Sequence, residues 1–236
     1  AQQKTSQVAE APQPVATFLI RNDYAATEAE IGVLAVPRLS LVLDYLRTQH
    51  VESDVSRISW PYSGLYYREP SEERIALREG VLSSLRALEC SSASALANSI
   101  EQQPLLQRID IPLNYHALRV GATTNPKLPG KYVVHVALED DAFRLWTERG
   151  LARQSFAPRQ KLAALSAPVT DVSCASSAWV LVYNGQVVED MAAASWSGGG
   201  VNAPAGSLIV PYFSAMSSEQ RSNLAQELFH TGSFIQ

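Results

Sequence analysis

The stretch from Leu118 to Val136 constrains this chain most. Gly121, Asn125-Pro126 and Pro129-Gly130 are chain-reversal signals, and β-prone residues flank them, Leu118 to Val120 before and Tyr132 to Leu138 after. Pro129-Gly130 suits the two centre positions of a type II turn, because proline presets φ and glycine accepts a positive one. The stretch therefore predicts two strand arms joined by a wide, ordered loop. Arg119 falls in the first arm. Arginine cannot shed its charge, so on a paired strand it must find a carboxylate, a carbonyl cluster or a bound anion. An acid such as Glu139 or Asp190 satisfies it internally; otherwise it meets an anionic ligand or partner in a cleft between domains, where pockets concentrate.

Length and charge narrow the classes. With 236 residues the chain is long enough for one large domain or two small ones with real cores. A net charge of −4 and a pI near 5.6 offer no basis for holding a phosphate backbone, so nucleic acid is not an expected partner. No apolar run reaches the roughly 20 residues that span a bilayer. Residues 1–14 are polar and without periodicity, and read as a flexible start, either a mature terminus after signal cleavage or an expression remnant. No cysteine stands at position 1 to carry a lipid anchor.

Val15 to Arg21 and Ile31 to Val36 are short β-rich runs, and Pro37 ends the second. Leu39, Val42, Leu43 and Leu46 then fall at helical spacing. Two strands, a helix and further strands is the order of a β-grasp unit. It is interrupted by an aromatic turn region, Trp60 to Tyr67, and a helical insertion over about 71–103. Ser71 with Glu72 and Glu73 opens the first helix, where acids suit the macrodipole; Leu77, Val81, Leu85 and Leu88 line its face. Cys90-Ser91-Ser92 breaks it, and Ala93 to Gln103 continues as a second helix until Pro104. The first domain thus covers 15–136.

The plan repeats over 137–213. Phe143 to Thr147 and Ala152 to Phe156 flank Arg149-Gly150, Arg159 to Leu165 reads as a helix, and Trp179 to Tyr183 and Val187 to Met191 flank Asn184-Gly185, a strong hairpin signal. Ser207 to Pro211 closes the set. The fold class expected is α+β, with two β-grasp domains and a carboxy-terminal amphipathic helix.

Two blocks carry a family resemblance. Arg119-Val120, then Asn125-Pro126, Leu128, Gly130 and Tyr132 before an apolar strand form the first; Trp179 to Gly185, then Trp196, then Pro204 to Pro211 and a closing helix form the second. Their order and spacing resemble the GfcC-like family of periplasmic proteins from group 4 capsule and exopolysaccharide operons, over most of 15–231. One departure is Ala205, where the family pattern reads Pro-Gly directly; Gly206 still supplies the turn. The resemblance implies SLBB-like β-grasp modules akin to those of the outer-membrane capsule export channel, without its pore-forming span. It implies a non-enzymatic factor in assembly or export of polysaccharide, located in the periplasm, with an arginine, here Arg119, in the inter-domain cleft. In that oxidising compartment Cys90 and Cys174 form one disulfide; the other reading is two buried thiols, and spacing does not decide between them.

Motifs for other chemistry are missing. His50, His116, His135 and His230 have no metal-ligand spacing, the cysteines form no C-x-x-C, and no G-x-S-x-G elbow occurs. Gly198-Gly199-Gly200 has neither phosphate-loop spacing and reads as a flexible loop. Asp140-Asp141 with Glu139 reads as a solvated turn rather than a glycosidase pair, since neighbouring acids on a strand end point to opposite faces. No metal or cofactor is expected. Trp60, Tyr62, Tyr66 and Tyr67 either stack on sugar rings or fill a seam beside the insertion. The candidate binding cleft is accordingly Arg119, Asn125, Trp60 and Tyr66. Partners expected are polysaccharide or a component of the export machinery, for a protein monomeric in isolation; the competing readings are a polysaccharide-modifying enzyme using the same cleft and a ligand-free adaptor.

The last feature is a helix over 217–231. Ser217 with Gln220 is a capping box and Gly232 a C′ residue. Leu224, Ala225, Leu228 and Phe229 share one face, with Glu219, Arg221, Gln226 and Glu227 on the wet side. About 15 residues rise roughly 22 Å, too short to span alone, so the apolar stripe is expected to dock on a domain.

Overall fold

The computed structural model describes residues 11–22, 27–49, 58–137, 142–147, 150–155, 175–190 and 206–231. The chain is α+β, with two five-stranded mixed sheets and five helices among these residues. The expected helix at Arg159 to Leu165, the triglycine, the acids 139–141, Trp196 and Gly232 lie outside them.

In the first sheet β1 (Ala16–Asn22) pairs antiparallel with β2 (Thr27–Val33) and parallel with β5 (Gly130–Val136); β5 pairs antiparallel with β3 (Gly64–Tyr67), which carries β4 (Gln107–Arg108) at the edge. Strand periodicity explains the layers. Ala16, Phe18 and Ile20 of β1 and Tyr132, Val134 and Val136 of β5 face one core, while Leu19 and Val133 face the other side with Tyr66 and Leu106. Flanked on both edges, β5 is buried on both faces from Tyr132 to Val136, and that stretch is apolar except for His135.

Helix α1 (Leu39–Gln49) lays Leu39, Val42, Leu43 and Leu46 on that core, as their spacing predicts. Its first turn is capped from a distant loop: the Ser40 amide donates to Asn125 Oδ1 at 3.0 Å, the Leu39 amide to the Pro126 carbonyl at 3.0 Å.

The strand expected at Leu118 to Val120 is instead part of α4 (Tyr115–Arg119). Asn114 Oδ1 accepts from the Ala117 amide at 3.0 Å, an N-cap that starts a helix, and Tyr115 and Leu118, three apart, bury themselves. Gly121, at φ +71°, stops it, leaving Val120 79% exposed. The Asn114 cap outweighs the weak β preference of three residues, and β5 pairs with β1 and β3, not with the preceding arm.

The insertion lies between β3 and β4 as α2 (Glu72–Arg86) and α3 (Ser91–Glu101), with Ser71 Oγ capping α2 through the Arg74 amide. Cys90, at the head of α3, is disulfide-bonded; the one other cysteine of the sequence, Cys174, is outside the described residues.

The second sheet comprises β6 (Ala142–Thr147), β7 (Gly150–Ser155), β8 (Ala175–Tyr183), β9 (Gln186–Asp190) and β10 (Leu208–Phe213), ordered β7-β6-β10-β8-β9. That repeats the first order, β2-β1-β5-β3-β4, with first and last strands parallel at the centre. Asn184 and Gly185, at φ +47° and +72°, make the tight turn that joins β8 to β9.

The insertion covers the second sheet. Val81, Leu82 and Leu85 of α2, with Leu96, Ala97 and Ile100 of α3, share one core with Val180, Val182, Leu208, Val210 and Phe213. Leu224, Ala225 and Leu228 of α5 (Ser218–Thr231) complete it. The predicted capping box is in place: the Ser217 amide donates to Gln220 Oε1 at 2.8 Å and the Gln220 amide to Ser217 Oγ at 3.1 Å. Burial of Leu224 and Leu228 contributes about 3 to 6 kcal/mol gross to docking. Glu227, expected on the wet face, is fully buried.

Candidate functional site

The two sheets meet where α5 ends, and the seam is built from charge. Glu227 accepts both terminal nitrogens of Arg74, Nη2 at 3.0 Å on Oε1 and Nη1 on Oε2, and Nε of Arg78 at 3.0 Å. The arginines spend their remaining donors on the open carbonyls after α3: Arg74 Nε on Leu106 at 2.9 Å, Arg78 Nη1 on Gln103 at 2.8 Å and Nη2 on Pro104 at 3.2 Å. A buried pair stands only when geometry and extra hydrogen bonds offset desolvation, and each condition is met here.

One turn on, His230 Nδ1 accepts the Arg108 amide at 2.9 Å, so a side chain of α5 takes up an edge donor of β4. Burial, then the charges of Arg74, Arg108 and Arg78, pull this imidazole down to about 3 and keep it neutral, as the acceptor role requires. The Arg108 side chain crosses the Phe229 ring at 4.9 Å and donates Nη2 to the carbonyls of Ser63 at 2.8 Å and Pro61 at 3.3 Å. Tyr62 ties the same corner to the second sheet through a 3.2 Å bond from its hydroxyl to the Ser207 carbonyl. Gly185 is packed against the corner as well, since a Cβ there would stand 3.1 Å from Cβ of Phe229.

Above this corner opens a cleft of about 430 Å³. One wall is Trp60-Pro61, the floor is Arg108 to Asn114, and Phe229 with Tyr183 and Asn184 at the second-sheet hairpin form the other wall. Both sheets contribute. Partly buried aromatic faces alternate with Arg108, Asp110 and two amides, a lining suited to a flat, hydroxyl-rich ligand.

Of the four predicted site residues, the structure brings only Trp60 to this cleft. Arg119 is exposed on α4, its guanidinium 5.8 Å from the Tyr115 ring, which Arg47 covers more closely at 4.1 Å. It is a helical surface cation, and no acid pairs with it among the described residues. Asn125 closes the start of α1, its Nδ2 donating to Ser40 Oγ at 2.8 Å while Arg38 holds its carbonyl at 3.0 Å. Tyr66 is 0% exposed, between the sheet and Leu106, and its ring lies over its own strand, 2.6 Å from where a Cβ on Gly64 would stand. It cannot stack on a ligand. Arg108, Asp110 and Phe229 were not foreseen; the polar-apolar alternation Arg108-Ile109-Asp110-Ile111 is the local signal that marks them as a two-faced strap.

No group of three or more potential metal ligands occurs among the described residues, and none of their helices is long and apolar enough to cross a membrane. The chain matches no protein-family model, and no curated protein matches its sequence.

Proposed function

We propose that this protein is a non-enzymatic periplasmic factor in the assembly or export of capsular or extracellular polysaccharide, and that it holds a segment of the glycan in the cleft between its two sheets. The observation that carries the reading is the cleft, where Trp60, Tyr183 and Phe229 offer ring faces and Asp110, Asn114 and Asn184 offer partners for hydroxyls. The repeated strand order supports two β-grasp units, because a central parallel pair of first and last strands is what that unit requires. The disulfide at Cys90 supports an oxidising compartment such as the periplasm. The protein acts as a monomer whose binding face both sheets build.

The test is a screen of the purified protein against capsule and exopolysaccharide fragments, with binding and turnover read separately. Binding without turnover, weakened at least about tenfold by Trp60→Ala, is the expected result. Cleavage or transfer abolished by a cleft substitution would make it an enzyme, and binding of an export-machinery component with no glycan binding would make it an adaptor.

A further inference from the structure

Arg108 is set in place by groups that do not neutralise it. Nη2 is committed to the Ser63 and Pro61 carbonyls and the guanidinium rests on Phe229, whereas Nε and Nη1 have no acceptor among the described residues. No carboxylate pairs with it there either. Among the described residues the one carboxylate buried at the seam, Glu227, is taken by Arg74 and Arg78, so three arginines meet a single acid there. His230 cannot supply the missing anion, because imidazole is at best neutral. A partly buried cation held in one orientation, with donors still open, is what recognition of an anion requires, since little side-chain entropy remains to be lost.

Resting on the glycan-binding reading above, we infer that the cleft selects acidic polysaccharide, with the carboxylate of a uronic acid residue on Arg108. Asp110 stands two residues along the same strap, exposed and without an ion-pair partner among the described residues. A carboxylate beside it would be repelled, so the acid group of the ligand lies at the Arg108 end and Asp110 accepts hydroxyls from the adjoining sugar. Asn184 closes the opposite side at the hairpin. A volume of about 430 Å³ leaves room for more than the acid group alone, within the roughly 300 to 1,000 Å³ range of small-ligand sites.

Calorimetric titration of the full chain tests this with a hexasaccharide alternating glucuronate and N-acetylglucosamine, and with the same hexasaccharide after reduction of its carboxyl groups. The acidic form should bind about tenfold or more tighter, the strength of a charge-assisted contact, and lose that advantage as salt rises. Arg108→Gln should bring the acidic form to the affinity of the reduced one, and Arg108→Lys should keep part of the difference. Equal binding of the two forms by the wild type would overturn the acidic selection and leave glycan binding standing. Binding of neither would overturn both. The wild-type comparison does not depend on how well either variant folds.

Discussion

Glu227 of α5 grips Arg74 of α2 through both carboxylate oxygens although 153 residues separate them, and neither side chain has more than 1% of its surface exposed. The bond joins a helix inserted into the first sheet to the helix that ends the described chain. Beside it, the insertion, the second sheet and α5 share one apolar core.

Removing the acid should therefore be costly. Glu227→Gln strands two buried guanidinium groups and is expected to lower stability by about 3 to 5 kcal/mol. Replacing Arg74, Arg78 and Glu227 together by Met should recover part of that loss, because no unpaired charge is left and only the Leu106, Gln103 and Pro104 carbonyls lose their donors. Urea midpoints of the two variants check it; equal losses would mean that the charge pairing is not what matters.

His230 predicts a pH dependence. Its folded pKa of about 3 lies below the ordinary value near 6.5, so beneath pH 6.5 the unfolded chain takes up a proton that the folded chain refuses. The contribution is complete above about pH 6.5 and is lost as pH falls toward 3, with a slope of up to about 1.4 kcal/mol per pH unit. His230→Gln can still accept the Arg108 amide but does not titrate. Unfolding free energies of both proteins between pH 7 and 4 should diverge downward for the wild type; a constant difference would contradict the assignment.

Asn125 and Arg119, both singled out in the sequence, act on stability or not at all. Asn125→Ala removes the cap on α1 and should cost about 1 kcal/mol, and Arg119→Ala, on the exposed side of α4, should stay within about 0.5 kcal/mol. Neither should alter glycan affinity. Thermal melts and titrations on the same samples separate the two effects, and a loss of binding in Arg119→Ala would move the site to α4.

Docking of α5 is testable without any substitution. Amides of Leu224 to Phe229 should exchange far more slowly than a free helix allows, because Leu224, Ala225 and Leu228 are core residues. Exchange at random-coil rates would mean that the helix stands off the second sheet.

What the sequence made legible follows distance along the chain. The apolar stripes of α1 and α5, the Ser217 capping box and the Asn184-Gly185 turn are set by residues within a few positions of one another, and each is found where its pattern places it. The short arm at Leu118 was open to two local signals, and the Asn114 cap outweighed the β-prone run. Glu227 read as a surface acid because its counter-charges, Arg74 and Arg78, come from another helix. Periodicity told which face of α2 is apolar, but not that β8 and β10 of the other sheet would cover it. The cleft was hidden for the same reason: Phe229 and His230 stand more than a hundred positions from Arg108 and meet it only after both sheets form.

The most direct measurement of the central claim is a nitrogen-resolved chemical-shift titration of the full chain with an acidic oligosaccharide. The shifts should concentrate on the amides of Trp60, Ile109 to Ile111, Leu113, Asn184 and Phe229, with the Trp60 indole among the largest. Shifts gathered around Arg119 and the Asn125 loop, or none at saturating ligand, would contradict a glycan site between the two sheets.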